Sequence, residues 1–170
     1  AVATVGGTVN LLSPGGVVET ATGSVVAATL IGTVDGNAQL TASSSNAIAT
    51  LGDFTVNGGT LALNDSTMLA VAGAVSGPDV MLSSTTLNIT GTVAASGTTS
   101  LTATTGTIDI ASSGTVSGST AVVLNGAAGI SETGVLNAGT LSGGSSAGGA
   151  SLTGAATTTN NVGTLGDFAT

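Results

Sequence analysis

Four residues, Leu51-Gly52-Asp53-Phe54, return unchanged as Leu165-Gly166-Asp167-Phe168, 114 positions further on. The recurrence extends well upstream of the tetrapeptide. Gly16-Val17-Val18-Glu19-Thr20 parallels Gly129-Ile130-Ser131-Glu132-Thr133, and Thr29-Leu30-Ile31-Gly32 parallels Thr140-Leu141-Ser142-Gly143. Ala38-Gln39-Leu40-Thr41 parallels Ala150-Ser151-Leu152-Thr153, and the run from Asn46 to Phe54 parallels Asn160 to Phe168. The offset drifts between 111 and 114, as small changes in loop length would produce. The chain is about one and a half copies of a long unit, with 1–54 resembling 115–168. Repetition at a fixed period marks an array built by stacking, so the expected architecture is one continuous body over residues 1–170.

A shorter beat lies inside the long unit. A Gly followed two residues later by Val, Phe or Leu recurs at Gly32, Gly52, Gly73, Gly91, Gly114 and Gly134, in steps of 20, 21, 18, 23 and 20. That period is too short for helical pairs and matches one coil of a β-solenoid. At six steps per long unit, the chain would hold eight or nine coils.

The residue types fit strands joined by sharp turns. Gly supplies 28 of 170 residues, and Thr and Val stiffen extended backbone. Period-two alternation appears at Leu61-Ala62-Leu63, Leu69-Ala70-Val71, Leu87-Asn88-Ile89 and Ile108-Asp109-Ile110, separated by turn signals such as Asp35-Gly36, Asn57-Gly58-Gly59 and Asn125-Gly126. No window carries an uninterrupted helical stripe. The predicted fold is all-β: a single-stranded, right-handed parallel β-helix with coils of about 20 residues, stacked at ~4.8 Å. Val34, Phe54, Val75, Val93 and Val116 are expected to share one interior row. Leu61, Leu63, Leu87, Ile89, Leu101, Ile108, Ile110, Val122 and Leu124 are expected to be buried, and Phe54 and Phe168 to plug wide points of the core. The Gly-rich stretch Ser142 to Ala156 is expected to be a thinned or looped coil. Asn10, Asn37, Asn57, Asn64, Asn125 and Asn137 fall in turn contexts, where Asn tolerates left-handed φ and can bond to a neighbouring coil.

Charge narrows the function. The net charge is −8, with no Lys, Arg or His. Nucleic-acid binding relies on Lys and Arg to neutralise phosphates, so it is excluded, and an anionic membrane surface would repel the chain. No apolar run is long enough for membrane insertion as a helix. Without Cys or His there is no thiolate nucleophile and no zinc site of the Cys/His kind.

The ionisable side chains are Glu19, Asp35, Asp53, Asp65, Asp79, Asp109, Glu132 and Asp167. Two carboxylates converging in a groove could hydrolyse a polysaccharide, but the Trp, Tyr, Arg and Lys that usually hold sugars are absent. Calcium needs only oxygen ligands, yet the acids fall mostly one per coil. They are expected on solvent-facing turns and faces, with no catalytic, metal or cofactor residues. Asn88-Ile89-Thr90 fits the glycosylation sequon. Thr-x-Thr pairs start at Thr20, Thr90, Thr102, Thr105 and Thr157, out of step with the coil, so they build no ice-matched face.

The runs Gly52 to Leu63, Val71 to Gly77, Thr86 to Val93 and Ile130 to Gly139 together resemble the repeat region of filamentous haemagglutinin-like adhesins. These are very large β-solenoid exoproteins of Gram-negative bacteria, exported by two-partner secretion or as autotransporter passengers. The resemblance covers essentially the whole chain. It implies a non-catalytic stalk, extracellular or on the cell surface, that projects a binding region towards host cells, other bacteria or matrix. Neither an Asn-Pro-Asn-Gly secretion motif nor Arg-Gly-Asp is present. Two further readings stand beside it: a self-associating extracellular filament or biofilm-matrix subunit, and, less favoured, a polysaccharide-acting β-helix enzyme. The expected partners are further solenoid coils at both ends, from the same chain or neighbouring copies.

Overall fold

A computed structural model describes residues 2–42, 45–155 and 160–170. The described residues form one 18-stranded parallel sheet wound into a β-solenoid of about seven turns, with coils of about 21 residues and no helix. At the usual strand spacing the rod is roughly 35 Å long. The coil count is thus lower than the eight or nine expected. The short beat is real, but some coils are longer than it, 23 residues from Leu40 to its partner Leu63 and 24 from Asn137 to its partner Asn161.

Each coil has three faces. In the middle of the rod the first face is built from Met68–Val71, Thr86–Ile89 and Thr107–Ile110, and the second from Ala74–Gly77 and Thr92–Ala95. Asp79–Ser84 and Thr98–Ala103 form the third. Elsewhere two faces merge into one long strand. Val25–Val34 and Ala47–Val56 run through the first and second faces, whereas Thr115–Gly126, Val135–Ser145 and Asn161–Ala169 run through the second and third.

Alternating side chains point inward and stack in rows, because the strands are parallel and mostly in register. One first-face row runs Val9, Leu30, Leu51, Val71, Ile89, Ile110, Glu132, Leu152. A third-face row runs Leu40, Leu63, Leu82, Leu101, Leu124. Burying each such side chain contributes about 1.5–3 kcal/mol, and the rows need no aromatic anchor. All nine expected core residues, Leu61, Leu63, Leu87, Ile89, Leu101, Ile108, Ile110, Val122 and Leu124, are buried.

The second-face row holds Phe54, Val75, Val93, Val116 and Leu136, but not Val34. Gly32 lies beneath Phe54, and Val34 pairs with Val56 in the next row. The corner between the first two faces spans two residues in Leu30 to Gly32 and four in Val71 to Val75, so the beat slips by an even number. Val34 therefore still faces inward and is buried, one row away from its expected place.

The recurring tetrapeptide explains the local geometry. Leu51 pairs with Leu30 and Phe54 with Gly32, so one extra residue sits opposite the lower coil, a β-bulge. The same bulge recurs where Leu165 pairs with Leu141 and Phe168 with Gly143. In both places the aromatic residue pairs with a glycine. A Cβ on Gly32 would lie 2.8 Å from Phe54 Cε2 and 2.5 Å from the Leu11 carbonyl oxygen, so the plug requires the hole. Gly143 has φ of 128°, where a side chain would also meet the Leu124 backbone. The Gly-rich stretch that begins at Ser142 is ordinary coil to a greater extent than expected. Ser142–Ser145 ends a long strand and Ala150–Leu152 pairs in register with Ile130–Glu132, with bends between the two strands; Ala156 lies outside the described residues.

Candidate functional site

The acids are the chain's only ionisable side chains, and the structure places most of them at coil corners. There they accept hydrogen bonds from backbone N–H groups, often in an adjacent coil. Asp53 Oδ1 accepts the Ala74 N–H at 2.8 Å, and Asp79 Oδ1 accepts the Thr98 N–H at 2.7 Å. Asn37 Oδ1 does the same for Thr60 at 2.8 Å. Such corners interrupt the strand ladder, and a short side-chain acceptor satisfies the donor left over. Among the described residues no non-glycine adopts a positive φ. The expected left-handed role of Asn10, Asn37, Asn57, Asn64, Asn125 and Asn137 is therefore wrong; Asn37 and Asn57 work through side-chain bonds between coils.

Asp65 and Glu132 overturn the expectation that the acids face solvent. Asp65 is 3% exposed, with Oδ2 accepting the Ile48 N–H and Oδ1 accepting both the N–H and hydroxyl of Thr67, each at 2.7 Å. It stands at an interior corner that also holds the buried Asn46 and Ser84. Three charge-accepting bonds let a carboxylate occupy that corner without a cation.

Glu132 is fully buried within the aliphatic first-face row, between Ile110 and Leu152. Its Oε2 accepts the Asn160 amide at 2.6 Å and the Gly154 N–H at 3.1 Å. Asn160 Oδ1 in turn accepts the Leu136 N–H at 2.9 Å. Glu132 Oε1 has no hydrogen-bond partner among the described residues. The same station exists in the first copy of the long unit. Glu19 Oε2 accepts the Asn46 amide at 3.2 Å, and Asn46 Oδ1 accepts the Val25 N–H at 2.7 Å. The Glu132–Asn160 clamp ties two successive coils together, and the Glu19–Asn46 clamp reaches a third through the Asn64 carbonyl, which accepts the Asn46 amide at 3.1 Å. Sequence reasoning aligned these four residues without seeing that they touch. The available signal was their near-constant spacing, Glu to Asn, in both copies.

From Glu19 to Glu132 the chain climbs five coils and one further face. Glu19 precedes the row position of Leu40 on the third face, and Glu132 lies on the first. Gly32 and Phe54 lie on the second face, Gly143 and Phe168 on the third. The long unit is thus turned by one face of the rod between copies.

The remaining sites are plain. Asp35 is exposed and accepts the Asn57 amide at 2.6 Å; Asp109 lies half-buried on the outer side of the first face beside Asn88. Asp167 is exposed. Among the described residues no three acids come close enough to hold a metal ion. The sequon residue Asn88 belongs to a flat strand face, with Oδ1 shielded. Of the described Thr-x-Thr residues, Thr102 stacks with Ser83 and Asn125, not with another Thr. Shallow grooves of about 350 and 400 Å³ run along the rod, lined by Ser, Thr, Asn, Ala and Gly without an acid. A smaller one of about 190 Å³ lies at one end, lined by Leu11, Val17, Val25 and Leu40 with Glu19 at its rim. No protein-family model, curated protein or solved structure matches the chain.

Proposed function

We propose that this segment is a non-catalytic structural stalk in a filamentous haemagglutinin-like, surface-displayed fibre of a Gram-negative bacterium. The observation that carries the reading is how the polar side chains are used. Asp53, Asp65, Asp79, Glu132, Asn37, Asn46 and Asn160 all hold backbone donors at corners, most of them between coils. None of these seven lines any of the grooves described above. A stack of hydrogen-bonded coils transmits length, and the sugar-holding residues that a polysaccharide-acting enzyme would use are absent from the sequence. Binding to a host, bacterial or matrix surface belongs, on this reading, to other parts of the fibre.

The self-associating filament remains the second reading, on a specific observation. Among the described residues, Val2–Ser13 pairs along its ladder with Val25–Val34 alone, and Asn161–Ala169 with Val135–Ser145 alone. The outermost coils also expose Leu12, Val18 and Leu165 at 71, 73 and 68%. An open strand edge invites another strand.

Antibodies raised against the segment provide the test, used for electron microscopy of intact cells and for blots of the native material. Label along a thin surface fibre, on a single very large polypeptide, is the result expected for the stalk. Surface fibres made of many short chains would favour the filament, and label confined to the cell interior would overturn both.

A further inference from the structure

Asn57-Gly58 and Asn125-Gly126 are the same dipeptide in two different settings. Both Asn side chains are exposed, so exposure does not distinguish them. Asn125 and Gly126 lie within the strand Thr115–Gly126 and pair on both sides, with Thr102 and Ala103 below and Gly144 and Ser145 above. The Gly126 carbonyl accepts the Ser146 N–H, and Gly126 itself is buried. Asn57 and Gly58 instead form the open corner after the strand Ala47–Val56. Gly58 is exposed, and its N–H makes no hydrogen bond to the described residues.

We propose that Asn57 is a spontaneous modification site, where the chain deamidates while Asn125 does not. The Gly58 nitrogen attacks Asn57 Cγ, the N–C bond closes a succinimide ring, and ammonia leaves with the proton from Gly58. Water then opens the ring to aspartate or isoaspartate. No other reactant is needed. Glycine is the residue that allows this, because no Cβ hinders the attacking nitrogen or the backbone rotation that brings it to Cγ. At Gly126 the same rotation would break a ladder held from both sides.

Asp35 governs the rate and the consequence. Its Oδ1 holds the Asn57 amide at 2.6 Å, so the side chain must leave that bond before Cγ can turn towards Gly58. Asp35 is a positioning residue that slows the step. Once Asn57 has become an acid, two carboxylates face each other where a hydrogen bond had been, and like charges in contact repel. The corner between the first coils then loosens, and the net charge becomes more negative.

The test is peptide mapping by mass spectrometry of the intact 170-residue chain, incubated in mildly alkaline buffer. Each site's rate is divided by its own rate in urea, which removes intrinsic differences. Several-fold faster conversion at Asn57 than at Asn125 is expected, with isoaspartate among the products. Asp35→Ala should accelerate Asn57 several-fold without changing Asn125. Equal folded-state rates, or faster reaction at Asn125, would overturn the site. An unchanged or slower rate in Asp35→Ala would overturn the role of Asp35. Asn57→Asp, compared with Asn57→Ser, supplies the consequence. The Asn57 position donates its N–H to Val34, and exchange of that amide should rise in the Asp variant well above the Ser variant. Equal exchange in the two would show that the new charge does nothing.

Discussion

Phe54 and Phe168 pair with matching glycines, Gly32 and Gly143, at matching bulges, but among the described residues Phe54 alone is covered by a further row residue, Val75. Phe54 is wholly buried and Phe168 half-buried. The Glu–Asn clamps differ in the same sense: Glu132 is closed in between Ile110 and Leu152, while Glu19 is half-buried at the rim of a groove. The bulge, the aromatic–glycine pairing and the clamp survive a change of face and a change of exposure. They are properties of short sequences a coil apart. How much each contributes to stability is set by the coils above and below it.

The largest expected effect breaks that comparison at the rings. Phe54→Ala should lower the unfolding free energy by about 3–5 kcal/mol, the usual loss for a large buried side chain and its cavity. Phe168→Ala should cost well under half of that, and equal shifts in urea melts followed by circular dichroism would show that sealing is irrelevant. Gly32→Ala should cost about 1–3 kcal/mol by overpacking the Phe54 ring. Part of the loss should vanish in a Phe54→Leu background, because the two sites share one space, while the clash with the Leu11 carbonyl oxygen remains.

The clamps come next. Glu132→Ala leaves the Gly154 N–H and the Asn160 amide without their acceptor, a loss of about 1–3 kcal/mol for buried polar groups. The sharper readout is hydrogen exchange at Gly154, expected to accelerate, while exchange at Leu136 reports whether Asn160 stays in place. Glu19→Ala should have a smaller effect on global stability, and a larger one would invert the comparison. The smallest effect is expected on the outer strand faces. Thr55→Ala removes only a 3.5 Å hydroxyl contact with Ser76 and should change stability by about 0.5 kcal/mol or less.

The fold was legible because its signal is periodic. Every coil restates the alternation, so Leu87-Asn88-Ile89 and Ile108-Asp109-Ile110 each declare the same face. Row membership was less legible, since a corner can lengthen by two residues without turning any side chain outward; Val34 shows this. The buried acids were hidden by a general rule. Carboxylates belong outside unless paired, and this sequence offers no cation to pair with. Glu132 and Asp65 are held instead by amide, hydroxyl and backbone donors from neighbouring turns, which are adjacent in space but some 17–28 residues away or next door in sequence. Composition registers neither arrangement. A residue count does, once the coil length is known.

Because the long unit ends one face beyond a whole number of coils, a rod in which it recurs has no front or back. Successive bulges and clamps wind around the shaft like steps on a spiral stair and return to the same azimuth only on every third unit. Whatever meets such a shaft, whether an antibody, a parallel fibre or a surface, finds the same chemistry from any direction of approach. Two neighbouring shafts need not rotate into register to touch like with like. A sliding offset of one unit along the axis does the same work as a turn of about a third about it.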